Sequence, residues 1–307
     1  MSAASAGGAG GGGGAAGGGG SRAPLNVPVK RATPAVLAAA ETKAPYKDMR
    51  WGSSARKSMV EDPRFLEGTL YTSTVQSQLS FGAPRKAPPP LPRGVVLLDP
   101  TFLSAGDVDA LIAAVDSVTA IQPFHIPAVR NPITGGPAFS NLYMAFAGSE
   151  WDGVSKEYTA GSCSIPPVVL RLARRAIESV REKHPGDFPH LPSDADWDSP
   201  DTAFTCLFNY YPPTWGEIFA HSDTSEPSLR EGKKYPVVSF SIGDAVDFNL
   251  GEGATKTSVR LHSGDVLLFG GDSRTIRHGI DKSAARGPRP AKLRMASGRL
   301  NITLRRL

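Results

Sequence analysis

Near the C-terminus the stretch Arg299-Leu300-Asn301-Ile302-Thr303-Leu304-Arg305 alternates polar and aliphatic residues with a period of two. That period marks a β-strand, in which residues 299, 301, 303 and 305 project to one face and the aliphatic residues to the other. One face therefore carries two guanidinium groups. Upstream stand His221-Ser222-Asp223 and, 55 residues after Asp223, His278. Two imidazoles and one carboxylate can occupy one face of an octahedral metal and leave three positions open, an arrangement suited to an Fe(II) ion that must also bind O2. Ligands so far apart along the chain must come from different strands. An arginine 21 residues beyond His278 can neutralise a dicarboxylate, so the set points to Fe(II), 2-oxoglutarate and O2.

Around these residues the pattern is one of short strands. Phe204–Tyr211, Tyr235–Ile242, Ala245–Leu250, Thr257–Leu261, Asp265–Phe269 and Arg299–Leu304 are strand-like runs separated by Gly, Asp and Ser turns. Gly94-Val95-Val96-Leu97-Leu98 reads as a further short buried strand. Two helices come before the series. Ser104 followed by Asp107 is a variant capping box that opens the apolar pattern Val108, Leu111, Ile112, Val115. The second helix runs from Pro167 to about Lys183, with an apolar face of Val168, Val169, Leu172, Ala176 and Val180. Two helices followed by many short strands predict an α+β fold with a double-stranded β-helix (jelly-roll) core supported by the N-terminal helices.

Composition divides the 307 residues unevenly. Eleven of the 33 glycines fall within the first twenty positions, and residues 1–22 are almost wholly Gly, Ala and Ser, which bury little and cost much entropy to order. Residues 23–93 are Pro-rich and basic, ending in Ala83-Pro84-Arg85-Lys86-Ala87-Pro88-Pro89-Pro90-Leu91-Pro92. The expectation is a disordered tail and linker over 1–93 and one catalytic domain over 94–307. Residues 1–93 hold twelve Lys/Arg against five Asp/Glu, a net +7, whereas residues 94–307 hold 22 against 24, a net −2. The basic character thus lies in the arm, which can act as a nucleic-acid tether or as a solvated tail. From Lys282 onward there are eight Lys/Arg and no acid, read as a basic rim beside the site.

Two cysteines, Cys163 and Cys206, without metal-ligand spacing or a secretory apolar segment upstream, are expected as reduced thiols. No apolar run approaches the ~20 residues of a membrane span, and no membrane association or obligate protein partner is expected. The first forty residues lack Asp and Glu, a faint transit-peptide feature diluted by glycine. The expected compartment is nuclear or cytoplasmic, the nucleus favoured.

From about Gly94 to the end the chain resembles the AlkB-like Fe(II)/2-oxoglutarate dioxygenases. The resemblance is carried by Asn209-Tyr210-Tyr211-Pro212-Pro213 ahead of His221-Ser222-Asp223, by Val238-Ser239-Phe240-Ser241-Ile242-Gly243, Ser263-Gly264-Asp265-Val266 and Gly270-Gly271-Asp272-Ser273-Arg274, and by His278-Gly279 and the final Arg-x-Asn-x-x-x-Arg. It implies that His221, Asp223 and His278 hold iron and that Arg299 and Arg305 bind the two carboxylates of 2-oxoglutarate, with Asn209, Tyr211 and Asn301 completing that pocket. It also implies a substrate-recognition lid, about 122–165, whose Trp151 and Tyr158 hold a flipped base. Ser225 stands where the bacterial prototype has an acid, followed by Glu226; a serine there resembles the eukaryotic AlkB homologue 1 subgroup. Ser225 and Glu226 are expected on the substrate side.

The implied activity is oxidative demethylation of N-methylated nucleobases with release of formaldehyde and succinate. N6-methyladenine in DNA is the leading substrate, single-stranded or flipped out. Methylated RNA bases are one alternative, and a protein hydroxylase or demethylase on the same iron core is another.

Overall fold

A computed structural model of the chain describes residues 88–130, 137–212, 216–280 and 298–307. The glycine-rich tail, the basic linker up to residue 87, and residues 282–297 of the expected basic rim lie outside the described residues. Strand β1 (Val95–Leu97) is followed by helix α1 (Ala105–Ile121), β2 (Ala128–Arg130), β3 (Pro137–Phe139), β4 (Tyr143–Trp151), β5 (Tyr158–Ala160) and helix α2 (Pro167–Lys183). Helical turns at Asp194–Asp198 and Pro200–Ala203 lead to β6 (Phe204–Tyr211) and β7 (Ile218–His221). A third, Pro227–Arg230, precedes β8 (Val237–Gly243), β9 (Val246–Leu250), β10 (Thr257–Leu261), β11 (Val266–Phe269), β12 (His278–Ile280) and β13 (Arg299–Arg306).

The strands form two antiparallel sheets, a major one ordered β1-β11-β8-β13-β6-β4-β5 and a minor one ordered β10-β9-β12-β7, and β2 pairs with β3 separately. Side-chain alternation on β13 divides its residues between two environments. Leu300, Ile302 and Leu304 join the core between the major sheet and the helices, together with Leu111, Val115, Leu172, Ala176 and Phe208. A second core, including Phe146, Leu207, Phe248, Leu250 and Leu267, lies on the other side of the sheet. Arg299, Asn301, Thr303 and Arg305 occupy the alternate positions of β13.

Both helices form for legible reasons. Ser104 Oγ accepts the Asp107 backbone N–H at 3.1 Å while Asp107 Oδ2 accepts that of Ser104 at 3.1 Å, closing the capping box at the start of α1. Helix α2 starts at a proline, whose missing N–H is no loss in the first turn, and ends with Arg181 and Lys183 near its negative pole. Arg171 and Arg175 of α2 each reach Asp107 at 3.3 Å, tying the two helices together. Cys163 and Cys206 are free thiols. No helix among the described residues is long and apolar enough to cross a membrane.

Most expected strands are present with end shifts: β8 starts at Val237 and β13 continues to Arg306. The stretch expected as a lid, 122–165, holds more than one kind of structure. Its middle is β4, nine residues long, which lies against β6 in the major sheet with Tyr143 opposite Tyr210 and Gly148 opposite Thr205. Leu142 to Ala147 are buried, so the run shows none of the polar alternation that identifies a half-exposed strand. The β2–β3 pair and β5 flank it and are the parts of 122–165 outside the sheet's interior.

Gly298 fixes how β13 begins. Its φ is +94°, and a Cβ there would lie 2.6 Å from the Tyr211 carbonyl oxygen. Reciprocal bonds between Gly298 and Asp244, Gly298 N–H to Oδ2 at 2.7 Å and Asp244 N–H to the Gly298 carbonyl at 2.8 Å, hold the turn that sets Arg299 opposite Tyr211. Ser104→Ala is expected to cost about 1 kcal/mol. Gly298→Ala combines a left-handed backbone with a close contact and is expected to cost about 2 kcal/mol or more. Denaturant titrations of both variants check this ordering.

Candidate metal and cosubstrate site

His221 closes β7 and His278 opens β12, and the two are direct cross-strand partners in the minor sheet. Asp223 follows in the loop after β7. One ligand atom from each of His221, Asp223 and His278 lies within 4.8 Å of the other two. Both imidazoles are oriented by main-chain carbonyls: His221 Nδ1 is 2.9 Å from Phe219 O, and His278 Nδ1 is 3.0 Å from Ile276 O. With Nδ1 donating, each ring leaves the Nε2 lone pair free on the Asp223 side, 3.5 and 3.6 Å from its carboxylate oxygens.

The electrostatics suit a cation. Burial alone would raise the Asp223 carboxyl, but Arg305 and the two imidazoles outweigh it and hold it well below the usual carboxylate range. Burial brings His278 down to about 4, with Asp223 opposing, so the ring is neutral and able to ligate at neutral pH. His221 is the accessible member, its side chain 35% exposed.

The major sheet supplies the guanidinium groups. Arg299, 2% exposed, donates from Nη2 to Ser241 Oγ at 2.9 Å and lies 5.3 Å from the centre of the Tyr211 ring. Burial lowers its pKa and raises that of Tyr211. Arg305 Nη2 is 2.9 Å from Asp223 Oδ2 and Nη1 is 3.4 Å from Glu226 Oε1. Burial would lower the Arg305 pKa, but these two carboxylates raise it. Asn209 and Asn301 face each other across β6 and β13. Asn301 is satisfied by Ser239 Oγ, Phe240 O and Thr303 Oγ1. The buried Asn209 Oδ1, Arg299 Nε and Arg305 Nε have no hydrogen-bond partner.

Arg274, which the sequence motif contains but sequence reasoning gave no role, is a part of this site. It is 2% exposed, donates from Nη1 to the Asp223 carbonyl at 2.9 Å and pairs with Glu226 Oε2 at 3.0 Å. The same contacts place Glu226, expected on the substrate side, between the two guanidiniums and Tyr158. Glu226 is 0% exposed and is taken up by Arg274, Arg305 and the Tyr158 hydroxyl, 3.2 Å from Oε1. Trp151 and Tyr158 are cross-strand partners on β4 and β5 and are partly buried. Lys156 Nζ sits 4.7 Å from the centre of the Trp151 ring. Ser225 is partly buried in the turn between Asp223 and Glu226.

Residues 96–305 match the 2OG-Fe(II) oxygenase superfamily. The chain belongs to that superfamily. Within it, the sequence is 35% identical over 199 residues to AlkB of Escherichia coli, an alpha-ketoglutarate-dependent dioxygenase, covering 62% of this chain and 82% of the relative. It is 34% identical over 179 residues to the DNA N(6)-methyladenine demethylase ALKBH1D of Arabidopsis thaliana, covering 54% of this chain and 39% of that protein. The chain thus spans about two-fifths of that relative's length. The solved structure of OsALKBH1 superposes with a TM-score of 0.57 at 30% identity, covering 72% of this chain and all of that one.

As a 2OG-Fe(II) oxygenase, the protein uses Fe(II), 2-oxoglutarate and O2. The residues present fit them: a His, His, Asp donor set with free Nε2 atoms can hold the iron, and buried guanidiniums with unpartnered Nε atoms can receive carboxylates. The three ligands differ in structural weight. His221→Ala is expected to abolish metal binding and leave the fold intact. Asp223→Ala also strips the buried Arg305 of its nearest carboxylate and is expected to cost a further 3–5 kcal/mol or so of stability. Arg299→Ala and Arg305→Ala are expected to weaken 2-oxoglutarate binding by about 2–5 kcal/mol. Anaerobic calorimetry for metal and 2-oxoglutarate, with thermal melts alongside, tests all four; equal melting points for His221→Ala and Asp223→Ala would contradict the buried pair.

Proposed function

We propose that this oxygenase oxidatively demethylates N-methylated nucleobases, with N6-methyladenine in DNA as its first substrate. One observation carries the reading: an unbroken series of contacts joins the metal cluster to an aromatic pair. Asp223 touches Arg305, Arg305 touches Glu226, Glu226 touches the Tyr158 hydroxyl, and Tyr158 lies opposite Trp151. Two aromatic rings on one face beside an oxidising centre suit a planar base taken out of its stack. The name borne by the Arabidopsis relative supports the reaction and the base, and that of the Escherichia coli relative supports a 2-oxoglutarate-dependent oxidation.

When bound, Fe(II), 2-oxoglutarate and O2 supply oxidation of the N-methyl carbon, so that succinate, CO2, formaldehyde and the demethylated amine result. The chain's own residues orient and shield. Carbonyls of Phe219 and Ile276 hold the imidazole tautomers, Arg274 holds the Asp223 main chain, and Arg299 and Arg305 receive the carboxylates of 2-oxoglutarate with Tyr211 against Arg299. Trp151 and Tyr158 stack on the base while Ser225, without charge, suits a neutral methylated adenine better than a cationic one. The β2–β3 pair and the segment around β5 serve as the recognition lid. A DNA substrate favours the nucleus as the compartment.

The deciding experiment measures formaldehyde from single-stranded DNA and RNA oligonucleotides carrying N6- or N1-methyladenine. Release from N6-methyladenine DNA is expected to dominate; no release from any methylated nucleic acid, with 2-oxoglutarate still consumed, would overturn the reading. Trp151→Ala is expected to lose about 1–3 kcal/mol of oligonucleotide binding, with Trp151→Phe losing less. Removing residues 1–87 is expected to flatten the salt dependence of binding, because fewer counterions are released; gel-shift titrations over a salt series read that slope.

A further inference from the structure

We propose that Glu226 couples the cosubstrate site to the substrate-facing strand, through a relay from Arg305 to Tyr158. The proposal deepens the demethylase reading and rests on it for the identity of the substrate. Glu226 Oε1 is shared: the Tyr158 hydroxyl lies 3.2 Å from it and Arg305 Nη1 3.4 Å from it. Oε2 lies 3.0 Å from Arg274 Nη2 in an ion pair without a hydrogen bond, so the carboxylate's hydrogen bonds are both on Oε1, divided between Arg305 and Tyr158.

Two buried carboxylates, Asp223 and Glu226, face two guanidiniums, Arg274 and Arg305. A carboxylate of 2-oxoglutarate arriving at Arg305 adds a third acceptor for the same donors. The contact that yields most readily is the longest, Arg305 to Glu226, because the Arg305–Asp223 contact is 2.9 Å. Oε1 then keeps Tyr158 as its donor, and that hydrogen bond tightens. Tyr158 belongs to a three-residue strand at the edge of the major sheet, paired among the described residues with β4 alone. Such an edge gains order from one added bond. Cosubstrate binding thereby stiffens the strand that carries one of the two aromatic rings, and by linkage nucleic-acid binding strengthens the hold on 2-oxoglutarate by the same factor.

The test uses the full chain with Fe(II) under anaerobic conditions, so that nothing turns over. Tyr158→Phe keeps the ring and removes only the hydroxyl. It is expected to weaken 2-oxoglutarate binding about five-fold or more, the lower range of a coupling between sites. In a Glu226→Gln background the same substitution is expected to change nothing, which a general loosening of β5 would not reproduce. Should Glu226→Gln fail to fold, the comparison of wild type with Tyr158→Phe still decides. Equal 2-oxoglutarate affinity in those two proteins would overturn the relay. In the reciprocal arm, an N6-methyladenine oligonucleotide is expected to bind wild type more tightly with 2-oxoglutarate than without, and Tyr158→Phe equally in both. Oligonucleotide binding that ignores 2-oxoglutarate in wild type also overturns the relay. Tyr158-dependent 2-oxoglutarate binding without any oligonucleotide binding upholds the relay and removes the demethylase reading instead.

Discussion

Asp223 and Arg305 lie 2.9 Å apart, and that ion pair joins the two sheets beside the candidate metal cluster. Asp223 follows the last residue of β7, in the minor sheet; Arg305 is on β13, the central strand of the major sheet. Neither charge has much water around it, and each compensates the other, with Glu226 as a second partner of Arg305. Their attraction keeps the carboxylate ionised and its partner guanidinium at a fixed place, while burial keeps His278 neutral. Asp223 and His278 are thus in the protonation states a divalent cation needs, and the cation-binding face and the anion-binding face are held at a defined separation.

Around this pair the fold divides its labour by strand face. One face of β13 builds the packed core with the helices, and the other carries Arg299, Asn301, Thr303 and Arg305 toward the site. Rigidity of the first sets the precision of the second. Gly298 adds the local condition, since the turn it permits is what places Arg299 opposite Tyr211.

How much of this was legible in the sequence depended on whether a residue's role left a local pattern. The ligands and arginines were readable because their chemistry demands particular side chains, and β13 because its polar and aliphatic residues alternate. Helix α1 announced its start through Ser104 and Asp107, and the structure closes that box. Strand β4 was hidden, because a run buried on both faces has no alternation and looks like any apolar segment. β7 and β12, four and three residues long, were too short to show a period, although their cross-strand pairing unites the histidines. The role of Arg274 was invisible for a different reason: its contacts to Asp223 and Glu226 span about fifty residues of chain, and only the folded arrangement brings them together. Glu226 was expected on the substrate side from its place after Ser225, and its burial between two guanidiniums could not be read from that place.

The seven-stranded sheet ends on both sides in strands of only three residues, β1 and β5. A sheet edge exposes unpaired N–H and C=O groups that can recruit a strand from another molecule, and the hazard grows with the length of the edge. This sheet is strongly apolar within, yet it offers a neighbour only a short template on either flank. On the minor sheet the five-residue edge strand β10 carries Arg260, paired with Asp247 across the ladder, which sets charge on the border itself. The minor sheet's other edge is the four-residue β7, which exposes Phe219, so among the described residues the long apolar strands of the major sheet are interior to it while the apolar border lies on a short strand of the minor one.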